Sequence, residues 1–278
     1  MTTAVLITGT SSGIGRAAAL RLARRPDLTV YATARRTEAV ADLADAGART
    51  LALDVTDEES MRAAVAAVEA EHGAVGVLVN NAGYGEYGTV EETGLDGVRR
   101  QFETNVFGLA RMTQLVLPGM RAAGAGRIVN VGSMGGRIVF PGGGYYHASK
   151  YAVEALTDAL RFEVAPFGIR VSLVEPGLIR TSFGDTAAHT LAGSSAKDGP
   201  YAALTAAVDR QMAESYRSTA LSAPPEAVAR VIDHAATHPR PRIRYVVTPA
   251  AKALVHTRRL LGARVFDTYL KAQFRGGA

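Results

Sequence analysis

Ala4–Gly15 reads A-V-L-I-T-G-T-S-S-G-I-G. The run Ala4–Thr8 is short and apolar with turn residues directly behind it, the pattern of a buried strand. From Arg16 to Arg25 apolar residues recur at helical spacing, and Pro26 stops the pattern. The order is strand, glycine turn, helix. Gly9, Gly13 and Gly15 let the backbone turn tightly and leave room for a pyrophosphate at the helix N-terminus, where free N–H groups favour anions. The spacing is G-x-x-x-G-x-G, not the commoner G-x-G-x-x-G, and by itself it also suits a plain β–α connection.

Working outward, strands are predicted at Leu28–Thr33, Arg49–Leu53, Val75–Val79, Arg127–Val131, Ile169–Val174 and Ile243–Val247. Helical patterns fall between them: Glu58–His72, a long stretch Leu95–Ala122, one from Tyr146 to about Ala165, and Pro225–Thr237. Asn105 and Gly108 inside the long stretch predict a kink or a polar role. Alternation of this kind predicts an α/β fold with a doubly wound parallel sheet of about seven strands and helices on both faces. Ligands in such sheets bind beyond the carboxyl ends of the strands, where Gly9, Arg35, Asp54, Asn81, Ser133 and Pro176 all lie.

The whole chain, 1–278, is expected to form a single domain, since no linker or repeat interrupts it. Residues 181–222 break the rhythm and are expected to form a helical lid over a substrate pocket. Residues 249–278 are a basic C-terminal extension, with an amphipathic helix Ala250–Phe274 that places Leu254, Leu261, Val265, Phe266 and Tyr269 on one face. That face is expected to pack on the substrate side of the domain or on a partner subunit; contact with a membrane surface is the alternative.

There is no cysteine, which excludes disulfides, thiolate metal sites and cysteine nucleophiles, and no metal site is expected. The net charge is +5, but the excess belongs to the tail: after Pro239, Arg240, Arg242, Arg244, Lys252, Arg258, Arg259, Arg264, Lys271 and Arg275 face only Asp267. Nucleic acid is therefore not an expected partner. The opening M-T-T-A-V-L-I-T-G lacks a basic region followed by a long apolar one, and no apolar run approaches the roughly 20 residues that span a bilayer, so a cytoplasmic protein is expected.

Ser133–Lys150 carries the chemistry: S-M-G-G-R-I-V-F-P-G-G-G-Y-Y-H-A-S-K. Tyr146 and Lys150, four apart, share one helix face. A free tyrosine has a pKa of about 10, and a nearby ammonium stabilises its phenolate. A serine hydroxyl from another segment would bind the same substrate oxygen. Tyr145 is the rival phenol, but Ser149, four residues on, carries no charge. Y-x-x-x-K alone is more often a solvated helix face. The second strand ends without an acid, and Arg35 and Arg36 follow at once, which suits a 2′-phosphate.

In order and spacing, T-G-x-x-x-G-I-G at Thr8–Gly15, Asp54, N-N-A-G at Asn80–Gly83, Asn105, Ser133, Y-x-x-x-K at Tyr146–Lys150 and P-G at Pro176–Gly177 resemble the short-chain dehydrogenase/reductase family over most of the chain. The resemblance implies a Rossmann-type fold and an oxidoreductase. Tyr146 would be the acid or base, Lys150 would lower its pKa and hold the nicotinamide ribose, Ser133 would orient the substrate oxygen, and Asn105 would hold a water in a proton relay. NADP(H) would be bound by Gly9, Ser11, Ser12, Gly13, Ile14, Gly15, Arg35, Arg36, Asp54, Val55, Asn81, Ala82, Gly83, Tyr146, Lys150, Pro176, Gly177 and Thr181. The A-T-A-R-R segment and the C-terminal extension look like the 17β-hydroxysteroid and retinol dehydrogenase branch, which implies a lipophilic ketone or alcohol substrate and a homodimer or homotetramer. A silent nucleotide-sensing module of the same fold is the alternative.

Overall fold

The computed structural model describes residues 2–194 and 198–274. Seven parallel strands form the central sheet: β1 (Thr3–Ile7), β2 (Leu28–Ala34), β3 (Arg49–Ala52), β4 (Val77–Asn80), β5 (Gly126–Val131), β6 (Ile169–Glu175) and, after a small ladder of β7 (Leu178–Ile179) with β8 (Ser222–Ala223), β9 (Arg244–Val246). The order is β3-β2-β1-β4-β5-β6-β9, so the winding reverses between β1 and β4. A crevice must open there, because the connections leave in opposite directions.

The strands are apolar on both sides because both sides are covered. Val5, Ile7, Val30 and Ala32 face α1 (Gly13–Leu22) and α8 (Pro225–Thr237). Ala4, Leu6 and Tyr31 face α2 (Glu58–His72) and α4 (Leu109–Ala122). The long stretch from Leu95 is not one regular helix. It runs as α3 (Leu95–Phe102), a π-helical turn Glu103–Gly108, then α4. The expected kink is this π turn, and a Cβ at Gly108 would lie 2.5 Å from the Val55 carbonyl oxygen. Tyr146 and Lys150 ride on α5 (Gly144–Val164); α6 (Ser182–Ser194) and α7 (Ala202–Arg217) follow β7. Residues 195–197 of the expected lid loop, and Arg275 of the tail, lie outside the described residues.

The final helix, α9 (Pro249–Gln273), departs from expectation. Gly262 is non-helical, with φ 75° and ψ −176°, and the face shifts there. Leu254 and Phe266 pack inward, whereas Leu261 and Val265 are exposed, so the expected single apolar face does not exist.

At the far edge, Arg244 of β9 binds Glu154 of α5, Asp158 at 2.6 Å and Glu175 of β6 at 2.8 Å, while Arg137 reaches Glu175 at 3.2 Å. Oε1 of Glu154 and Oε2 of Glu175 are buried without a partner, as a proton shared between the two carboxyls would satisfy. Burial and the neighbouring Glu175 push the Glu154 carboxyl well above its usual range. A group whose folded pKa is raised contributes stability that is present below its unfolded value and is lost as pH rises through the folded one. Glu154→Gln supplies a permanent neutral donor. It should raise the melting temperature at mildly alkaline pH by about 2–4 °C and leave it nearly unchanged in mild acid. A gain independent of pH would show that the carboxyl is charged throughout.

Candidate active site

One cavity of about 900 Å³ runs along the carboxyl ends of the strands, across the β1–β4 switch point. At one end lies the glycine turn. Gly9 and Gly13 have φ of 71° and 56°, the left-handed region that favours glycine. A Cβ at Gly15 would stand 2.2 Å from the Gly9 oxygen and 2.4 Å from Asn81 Nδ2, so this position admits no side chain. Asn81 Nδ2 donates to the carbonyls of Thr8 and Gly9 at 3.0 and 2.9 Å and braces the turn. Ser12 precedes α1 without capping it, and no acid stands in the first turn. The N–H groups of that turn thus remain available to an anion, with the helix dipole behind them. A cradle so narrow and so positive fits a dinucleotide pyrophosphate.

Arg35 lines the next part of the cavity, with no ion pair among the described residues. Arg36 does not line it; it leads into the short 3₁₀ turn Thr37–Leu43. Asp54 also lines it, its Oδ1 accepting from Thr56 N and Oγ1 at 2.9 and 2.8 Å, and Val55 is adjacent. Ser11, Ile14, Ala82, Gly83, Pro176, Gly177 and Thr181 complete the expected lining, while Gly15 sits behind the turn. Thr181 closes the cavity from the far side, since a Cβ at Gly13 would lie 3.1 Å from its Cγ2.

At the centre are Ser133, Tyr146 and Lys150, all buried and all lining the cavity. Ser133 follows β5, and its Oγ accepts from Gly135 N at 3.0 Å. Lys150 donates to the Val131 carbonyl at 3.0 Å. Burial pushes the Tyr146 phenol up to about 12, against a smaller lowering by the Ser133 hydroxyl. Burial also pushes Lys150 down to about 8. Desolvation is the larger influence on the phenol in this geometry, and the Lys150 ammonium donates to a backbone carbonyl. Tyr145 is no rival, as its hydroxyl donates to the Val90 carbonyl at 3.2 Å, away from the cavity.

Asn105 sits on the π turn behind this centre. Its Nδ2 donates to Tyr84 O at 2.9 Å and Ser149 Oγ at 3.1 Å, and its Oδ1 accepts from Tyr84 N at 3.0 Å. Both amide hydrogens are engaged, so the side chain ties α5 to the loop after β4.

Further residues line the centre, of which Tyr87 and His147 carried no reading from the sequence. Tyr87 stacks on Tyr146 at 5.5 Å, and Phe183 meets it at 5.3 Å. His147, pushed down to about 4 by burial, links Gly135 O and Phe140 N at 3.0 and 3.1 Å, which fixes the neutral imidazole with its proton on Nδ1. Its place beside Tyr146 was the one available signal. The rest of the wall is mostly apolar and comes from after β6: Val208, Met212 and Tyr216 of α7, and Leu254 and Tyr269 of α9.

A family model described as "short chain dehydrogenase" matches residues 3–192. The uncharacterized oxidoreductase YbbO of Escherichia coli is 37% identical over 98% of this chain and 95% of its own. Human 17-beta-hydroxysteroid dehydrogenase type 1 is 37% identical over 92% and 80%, and the NADPH-dependent 3-dehydrocapnine reductase of Ornithobacterium rhinotracheale 33% over 94% and 94%. Among solved structures, a short-chain dehydrogenase from Streptomyces avermitilis superposes with a TM-score of 0.80 at 37% identity, covering 100% of this chain and 99% of that one. ElxO with NADP bound has a TM-score of 0.75 at 26% identity over 91% and 100% of the two chains. A Burkholderia phymatum protein in complex with NAD reaches 0.79 at 28% over 93% of each.

Proposed function

The chain belongs to the short-chain dehydrogenase/reductase family, whose relatives here are oxidoreductases, and on that premise we propose that it interconverts a lipophilic ketone and its secondary alcohol with NADP(H). The observation that carries the reading is the convergence of Ser133, Tyr146 and Lys150 on the cavity that also holds the glycine turn. When bound, the nicotinamide supplies or accepts the hydride. Ser133 holds the substrate oxygen, and Tyr146, kept protonated by burial, gives that oxygen its proton in the reducing direction. Lys150 supplies positive charge beside the site, and Asn105 positions α5. We read the chain as one domain, with 181–222 as the lid and 249–278 as an extension walling the substrate end.

Cofactor-bound relatives divide between NADP and NAD, so the preference rests on Arg35. The lipophilic class is supported by the apolar wall and by relatives named for a steroid and for 3-dehydrocapnine. The test is turnover of steroid and long-chain ketones with NADPH and NADH; activity confined to small polar carbonyls would overturn the substrate class. The pH profile follows from burial. Lys150 is a cation below about 8 and neutral above it. Reduction should therefore decline on the alkaline side of about 8, while the phenol, at about 12, is still protonated. A kcat/KM flat to about pH 10 would remove Lys150 from the mechanism.

A further inference from the structure

The break at Gly262 gives α9 two arms, and both reach the cavity, the first at its start and the second at its end. The first arm seats Ala251 and Val255 in the core and lines the cavity with Leu254. The second seats Phe266 and lines it with Tyr269 and Gln273. Val255 and Phe266 pack in one cluster, so the arms are held together. Between them the corner is bare: Leu260 is 76% exposed, Leu261 58% and Val265 46%.

The corner is also rich in cations without counter-charges. Some arginines of the body are paired, among them Arg16 with Asp42, Arg21 with Asp233, Arg49 with Glu71 and Arg111 with Glu58. Lys252, Arg259, Arg264 and Lys271 of α9 are exposed, Arg258 is half-buried, and none has an ion-pair partner among the described residues. Asp267 is the single acid from 249 to 274.

We infer that the Gly262 corner of α9 is a docking surface for a membrane bearing anionic headgroups. Exposed leucines suit the acyl boundary, and unpaired cations suit the phosphates above it. Two copies of this chain meeting corner to corner would bring the same uncompensated cations together, which argues against self-association. No described helix is long and apolar enough to cross a membrane, so the contact is peripheral. Docking would hold the helix that walls the cavity at the bilayer surface, and would shorten the path of a lipophilic substrate from the membrane to the cavity. That consequence rests on the proposed substrate class; the docking does not.

The experiment is co-sedimentation of the full chain, without substrate, with vesicles of phosphatidylcholine alone and of phosphatidylcholine with phosphatidylglycerol. Binding should favour the anionic vesicles by about tenfold or more and fade with salt. Leu260→Ser/Leu261→Ser and Arg259→Glu/Arg264→Glu should each weaken it by about tenfold, with melting and turnover of a small soluble ketone unchanged. Absent binding, or binding that neither variant weakens, overturns the inference. So does a concentration-dependent dimer that the leucine variant dissociates without any vesicle binding, which assigns the corner to a second copy. If vesicles are bound but no lipophilic ketone is turned over, the docking stands and the substrate reading falls.

Discussion

Replacing Tyr146 by Phe is expected to lower turnover by about 10²–10⁴-fold, the usual contribution of a positioned general acid. The ring stays, and with it the contacts to Tyr87 at 5.5 Å and Phe183 at 5.3 Å, so the cavity keeps its shape. What is lost is the Tyr146 hydroxyl, which lines the cavity beside Ser133. NADPH binding, followed by fluorescence titration, should largely survive, because the pyrophosphate cradle lies at the other end of the cavity. Tyr145→Phe is the control: it removes only a bond to the Val90 carbonyl and should cost little. Near-normal kcat in the Tyr146 variant would sink the assignment. Loss of cofactor binding together with activity would point instead to a structural defect.

Arg35→Asp should reverse cofactor choice. The guanidinium of Arg35 is exposed, lines the cavity and has no ion pair among the described residues. Arg16, the other cation near the turn, is already paired with Asp42 and is not free to serve. A charge-assisted bond to a 2′-phosphate contributes roughly 1.5–3 kcal/mol. With about 1.36 kcal/mol per factor of ten, one such bond corresponds to an NADPH preference of about 10- to 150-fold. Aspartate removes that bond, repels the phosphate and offers an acceptor to the free ribose hydroxyls. The comparison is kcat/KM with both cofactors for both proteins. A wild type that prefers NADH, or a variant whose preference does not move, would leave Arg35 as an ordinary surface residue.

The sheet was legible because its strands are buried on both faces, so short apolar runs stand out between helical patterns; Val5-Leu-Ile7 and Val77-Leu-Val79 needed no tertiary information. Site residues at strand ends were legible for the same reason, since topology carries Gly9, Asp54, Asn81 and Ser133 to one edge. Other features depend on contacts far apart in sequence. The burial of Tyr146 and the bond of Lys150 to the Val131 carbonyl are examples, since spacing reveals neither. The engagement of the Asn105 amide with Tyr84 is likewise invisible in E-T-N-V-F-G. Gly262 was passed over because one glycine within a long helical pattern is usually tolerated. Its left-handed φ, not its composition, turns α9 and exposes Leu261.

The wall of the cavity has a consequence for descent. The glycine turn, Arg35, Asp54 and Asn81 precede Gly177, whereas most of the apolar wall, Val208, Met212, Tyr216, Leu254 and Tyr269, follows it. Inheritance can therefore act on the two halves separately. Substitutions in the later third can alter the apolar wall without touching the glycine turn.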